Sequence, residues 1–309
     1  MANKRVFDEV HGLTFNGGED EVLIGGITSI ETTQSYAVNV DSVQDDFEGP
    51  SDVSQAGQQV AFSVASTDVL KLIDLLIGEF TGAEWHGRES GAATYGKGTL
   101  VNPVPYAGRF SAAKGSYATI SADGMCRFAA AADTFDDVEG WEDGVAVDPT
   151  LTDPSRLWRP QSCTHGSLEP LHVESIGFTI PGRIITDFGD DDMGMTAVDR
   201  AGYGVVGVDL TIRDTTKQTG PPTHDIATAL IKNGVADLAV TFEGVGKTAN
   251  KILNLRNLVF RSKRKTTGRD WTGFTLSGVL QWMDPDDPWT KRLLTGTEAD
   301  RLIYWSDPE

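Results

Sequence analysis

Residues 203–234, YGVVGVDLTIRDTTKQTGPPTHDIATALIKNG, contain the two patterns on which the fold turns. Over 205–212 the apolar residues Val206, Val208, Leu210 and Ile212 alternate, which puts them on one face of a half-buried strand. A polar loop over 213–222 ends in Pro221-Pro222. Thr223 is a suitable N-cap for a helix over 224–233, with Ile226, Leu230 and Ile231 on its apolar side and Gly234 at its end.

Residues 58–80, QQVAFSVASTDVLKLIDLLIGEF, repeat that order. Val60, Phe62 and Val64 alternate, and Val69, Leu70, Ile73, Leu76 and Ile77 then recur at helical spacing. Ser66 or Thr67 can cap this helix, Asp68 suits the positive end of its dipole, and Gly78 lies near its end.

Strand signals surround both units. One covers 21–35 and is broken at Gly25-Gly26; others lie in 116–130, 172–180, 236–243, 252–261 and 273–282. Residues 41–57 and 183–203 read as polar loops, and 84–108 is glycine-rich and weakly patterned. Each half thus runs strand, polar loop, alternating strand, capped helix, further strands. A diverged tandem duplication accounts for that order. The expected organisation is a first β module over 1–140, a linker or surface excursion over 141–170, and a second β module with a C-terminal extension over 171–309.

Charge narrows the function classes. With 26 basic and 45 acidic residues the formal net charge is −19 and the isoelectric point about 4.6. A free, sequence-nonspecific nucleic-acid binder carries the opposite balance. Cys126 and Cys163 form no CxxC pair, so buried thiols are expected. The start, MANKRVFDEV, lacks the apolar stretch of a secretory signal, and no apolar run reaches bilayer length.

No motif for catalysis emerges. GVGKT at 244–248 has Thr241 where a phosphate-binding loop needs its first glycine, and it sits between strands; a hairpin turn is expected. Asp187-Phe188-Gly189 has no accompanying kinase motifs. Asp190–Asp192 lack calcium-loop spacing, and with Asp284, Asp286 and Asp287 they read as solvated turn residues. Cys163 and His165 share a strand face but lack further metal ligands, and Glu84 and His86 lack a nucleophile. No catalytic, cofactor-binding or metal-ligating residue is predicted, and no cofactor.

One basic cluster stands against the acidic background: Arg256, Arg261, Lys263, Arg264, Lys265 and Arg269. Arg261, Lys263, Arg264, Lys265 and Arg269 are the candidate inter-subunit docking residues, since a basic loop can register on an acidic surface of a neighbour. A solvated hairpin and a nucleic-acid patch are the alternatives.

The unit VVGVDLTIRD, long loop, THDIATALIKNG, ADLAVTFEG, the segment NKILNLRNLVFRSKRKTTGRDWTGFTLSGVLQWMDPDDP, and the first-half echo of the plan resemble tail tube (major tail) proteins of long-tailed phages or archaeal viruses. The resemblance is best over 171–288. It implies a mainly β chain of two β-sandwich or incomplete-barrel modules, each flanked by a helix. It further implies a structural virion protein, not an enzyme, made in the host cytoplasm and built into the tail. Its partners would be itself, other tail proteins at the tube ends, and packaged DNA in transit without sequence-specific binding, with no membrane. Sheets of neighbouring copies would join into rings around an acidic lumen, as homotrimeric pseudo-sixfold or homohexameric rings stacked into a tube. Strands 205–212 and 274–282 would lie near the lumen, and 41–57 and 183–203 would be ring-stacking loops. A baseplate or hub ring protein is an alternative. So is a carbohydrate-binding β-sandwich offering Trp85, Trp141, Trp158 and Trp271 for stacking.

Overall fold

The Gly25-Gly26 break separates two strands, as its sequence suggests: β2 (Asp20–Ile24) stops there and β3 (Ile27–Asp41) starts in another sheet. Before them comes β1 (Phe7–Gly17). The computed structural model describes residues 7–17, 20–41, 52–89, 94–130, 134–145, 157–166, 168–187, 194–213, 223–232, 234–246, 249–267, 272–281 and 301–308. The first half continues with β4 (Asp52–Ser66), a 3-10 turn (Val69–Lys71), α1 (Leu72–Ile77), β5 (Gly82–Glu89) and β6 (Gly96–Val101). It then runs through β7 (Pro103–Ala113), β8 (Thr119–Cys126), the one-turn α2 (Phe135–Val138) and β9 (Glu139–Asp143). The second half opens with β10 (Trp158–His165), β11 (Leu168–Ile180), β12 (Gly182–Asp187), β13 (Ala197–Tyr203) and β14 (Gly207–Arg213). It closes with α3 (Thr223–Lys232), β15 (Val235–Gly244), β16 (Lys251–Thr267), β17 (Thr272–Leu280) and β18 (Ile303–Ser306).

The fold is mainly β, with a five-stranded sheet, β2-β1-β5-β6-β9, and an 11-stranded one. The larger runs β10-β15-β16-β17-β14-β11-β7-β8-β4-β3, with β18 on β16 and a further pairing of β10 with β11. Phe15 of the smaller sheet meets Phe62 of the larger at 6.0 Å between ring centres and Phe80 at 5.1 Å. These contacts lie in the core between the layers, which α1 closes with Leu72, Leu75 and Leu76.

The register shows the two halves to be copies of one plan. In the first, β3-β4-β8-β7 are neighbours; in the second, β11-β14-β17-β16 are, and each set has its helix after its second strand. A register shift separates Ile27↔Ser66 from Ser29↔Ala65, and another separates Val173↔Ile212 from Ser175↔Thr211 at the same place. Between Pro105↔Gly124 and Ala107↔Asp123 lies a shift matched by that between Phe260↔Gly278 and Ser262↔Ser277. Bulges are specific features that fix register, so coincident bulges identify equivalent residues. Asn102 and Asn257, the two non-glycine residues of positive φ among the described residues (44° and 52°), fall at equivalent points before those bulges. Each offers its carbonyl to the residue after its partner strand: the Arg127 N–H donates to Asn102 at 3.0 Å and the Gln281 N–H to Asn257 at 2.9 Å. The paired positions Ser63/Asp123 and Asp209/Ser277 even carry the same hydrogen bond with the roles exchanged, at 2.8 and 2.6 Å.

Gly124 and Gly278 occupy one equivalent position, and both are obligatory. A Cβ on Gly124 would lie 2.1 Å from the Phe62 ring, and one on Gly278 2.6 Å from the Val259 carbonyl. Gly124→Ala is expected to destabilise by about 1–3 kcal/mol through overpacking. Chemical unfolding checks this; a variant as stable as the wild type would contradict the packing described.

Three expectations need correction. Residues 183–203 are not a simple polar loop: β12 and β13 pair as a hairpin there. Arg200 holds it down, its guanidinium donating from Nε to the Pro105 carbonyl at 2.8 Å and from Nη2 to the Gly78 carbonyl. The Tyr203 hydroxyl donates to the Leu76 carbonyl at 2.8 Å. Residues 141–170, read as a linker or excursion, hold the end of β9, all of β10 and the beginning of β11. The polar stretch 41–57 includes the beginning of β4 from Asp52 onward. The first helix starts as a 3-10 turn, and Ser66 Oγ accepts the Asp68 N–H at 2.8 Å while Asp68 turns to the Gly25 N–H at 3.3 Å.

Candidate assembly edges

The two copies of the plan meet in one joint. Strand β7, last of the first four-stranded set, pairs antiparallel with β11, first of the second set. Its register is Ile180↔Gly108, Thr179↔Arg109, Phe178↔Phe110, Gly177↔Ser111 and Ile176↔Ala112. The core side of the joint is aromatic: Phe110 stacks on Phe178 at 5.0 Å and 13°, and meets Phe242 and Trp305 edge-on at 5.8 and 6.1 Å.

A head-to-tail joint between two units leaves one unit with an open first strand and the other with an open last strand. The equivalents of β11 and β7 are β3 and the later half of β16. Among the described residues β3 pairs only with β4, and β16 beyond Val259 pairs only with β17. An open strand edge carries unpaired N–H and C=O groups that accept another strand.

Four of the five predicted docking residues lie on the open stretch of β16. Arg261, Arg264 and Lys265 are exposed and Lys263 is half-buried; Arg269 lies outside the described residues. Lys263 Nζ donates to Thr228 Oγ1 of α3 and stands 5.9 Å from the centre of the Phe274 ring. Arg256 belongs elsewhere, stacked 4.6 Å over Tyr304 of β18. On the opposite edge stands Glu139, which no sequence pattern marks. Its carboxylate, carried by β9, accepts from Thr32 Oγ1 at 2.6 Å and Gln34 Nε2 at 3.0 Å, both on β3. Only the packing of β9 beside β3 brings these residues together.

The sheet face away from the core is small and polar. It includes Ser63, Ser121, Ser175, Gly177, Thr179 and Ser277, alternating with buried residues along their strands. Its charges include Glu31, Asp123, Asp209, Arg109 and Arg264. Strands β14 and β17, which overlap the segments 205–212 and 274–282 expected near a lumen, both contribute to it.

Cys163 and His165 are both fully buried on β10. Among the described residues no group of three or more His, Cys, Asp or Glu side chains could hold a metal ion. Burial, with the Glu139 carboxylate adding to it, pushes the Cys126 thiol well up, so it is a poor nucleophile. Val245-Gly246 of GVGKT form the turn between β15 and β16. Trp85 and Trp158 are buried at 3% and 2% exposure and offer no stacking surface; Trp271 lies outside the described residues. No helix among the described residues is long and apolar enough to cross a membrane.

His165 makes a pH prediction. Burial holds its imidazole below the ordinary value of 6.5, partly offset by the Leu258 backbone and Asp237. The unfolded chain therefore takes up a proton below about pH 6.5 that the native state resists, so stability falls as pH drops through that range. Urea unfolding at about pH 7.5 and about pH 5.5 should show this loss, and His165→Leu should reduce it. An unchanged slope in the variant would contradict the assignment.

No family model and no curated protein matches this chain.

Proposed function

We propose that the chain is a structural virion protein that self-assembles into stacked rings forming a tail tube, an acidic channel for DNA passage. The modules are then β-sandwich or incomplete-barrel units of tail-tube type. The observation that carries this reading is the β7–β11 joint, which links two equivalent modules head to tail and, among the described residues, leaves the matching edges, β3 and the later half of β16, open. Repeating the same joint between copies uses both edges and removes them by ring closure. With two modules per chain, three copies give a homotrimeric ring of pseudo-sixfold symmetry. The small polar face, with its mixed charges, suits DNA that slides without being gripped. The resemblance of 171–288 to tail tube proteins supports the viral setting.

A baseplate or hub ring protein would use the same edges, and tube growth from both ring faces separates the two. The burial of Trp85 and Trp158 weighs against a carbohydrate-binding module. Electron microscopy of the purified protein, concentrated at low and at high salt, is expected to show hollow tubes or stacked rings. A monomer under every condition would sink the reading.

A further inference from the structure

The internal joint gives the register of the joint between copies, and that register brings specific charges together. Equivalent bulges align Ser29 with Ser175 and Ser262 with Ala107. Transferring the β7–β11 pairing then sets Thr32 of one copy opposite Lys265 of the next, Thr33 opposite Arg264, and Gln34 opposite Lys263. Thr32 and Gln34 are the two residues whose side chains hold the Glu139 carboxylate. We infer that the contact surface for a second copy of this chain is an ion-pair seam, with Glu139 receiving Lys265 and Lys263 of its neighbour. The inference rests on the assembly proposed above and names its partner groups.

The contrast with the internal joint supports the assignment. Where Phe178 and Phe110 stack inside the chain, the equivalent positions between copies are Thr32 and Lys265. An aromatic pair suits a joint that is buried permanently as the chain folds. Exposed on a free subunit, such a pair would be a sticky edge, and polar and charged replacements keep the subunit soluble until it meets its partner. On the other face Glu31 lies diagonally across from Arg264, adding a second opposite-charge neighbour. A one-residue slip would turn Lys265 to the opposite face and remove it from Glu139, so the pair also fixes register.

The test uses charge reversal in the full chain. Glu139→Lys and Lys265→Glu should each raise the concentration needed for assembly at least about tenfold. The double variant, which restores an opposite-charge pair between 139 and 265 while leaving Lys263 beside the new lysine, should recover part of that loss. Glu139→Gln, which keeps hydrogen-bonding capacity without the charge, should fall between. Thermal melts of the unassembled subunits establish that each variant folds. Independently, Thr32→Cys combined with Lys265→Cys should give interchain disulfides on oxidation, whereas Thr32→Cys with Arg264→Cys should not. Within one chain those positions stand seven strand spacings apart, roughly 30 Å along the sheet, too far to bridge. Tubes that form equally well with either single reversal, or cysteine pairs that fail to cross-link within tubes, would overturn the seam and leave ring assembly standing. A wild-type chain that never assembles would overturn both.

Discussion

Phe110→Ala is expected to destabilise the chain by about 3–5 kcal/mol, the usual cost of truncating a buried aromatic. Phe110 is 3% exposed and touches rings from three other strands: Phe178 on β11, Phe242 on β15 and Trp305 on β18. Phe242 and Trp305 also pack on each other at 5.3 Å. The ring therefore belongs to the first module by sequence but is buried largely by the second. Its loss opens a cavity at the joint that holds the modules in register. Urea unfolding measures the effect directly. Lys265→Ala, the change at the equivalent outer position, should stay within about 0.5 kcal/mol because that residue is exposed. A loss below about 1 kcal/mol for Phe110→Ala would contradict a packed internal joint.

The second large effect concerns assembly. Along β3, successive residues turn their backbone N–H groups alternately to β4 and to the open edge. Proline placed in turn at Glu31, Thr32 and Thr33 should therefore act with a period of two. Where the N–H faces outward, proline removes a donor that only a neighbouring copy would use. Assembly should be lost with the subunit still folded. Where the N–H bonds to β4, proline breaks a ladder bond and leaves a β4 carbonyl without its donor, destabilising the subunit by about 1–3 kcal/mol. Tube formation read by sedimentation, beside thermal melts of each variant, separates the two classes. Prolines that all leave tubes intact would show that β3 is not the contact edge.

The parts of the fold legible in the sequence were those whose core faces alternate without interruption. In β14, Val208, Leu210 and Ile212 stand on one side, and α3 follows behind its long loop. Strands β5, β6 and β7 were hidden because glycines occupy positions where the pattern needs apolar side chains. Gly98 is glycine because the Trp85 ring covers it, with a Cβ landing 2.2 Å from the indole, and Gly96 makes room for Trp141 in the same way. The large side chain that fills each gap lies on another strand, beyond the reach of local periodicity. Hairpin β12–β13 escaped notice because its hold on the first module runs through Arg200 and Tyr203 to backbone carbonyls, which leave no sequence pattern.

The repeated order of elements was legible in the sequence, while the residue-by-residue correspondence of the halves lay in coincident bulges and in the Asn102–Asn257 equivalence. The candidate site divides the same way. The basic half of the seam is contiguous in sequence and stood out against a net charge of −19. The acidic half is a single glutamate positioned by two side chains about a hundred residues away, as its bonds to Thr32 and Gln34 show.

The number of chains around the axis of an assembled ring is the most direct test of the assembly. Cryo-electron microscopy of tubes grown from the purified protein measures it. The expected result is three chains per ring with pseudo-sixfold modulation, and β3 of each chain antiparallel to the later half of β16 of the next. Rings of six chains, or rings in which those two edges remain unpaired, would contradict it.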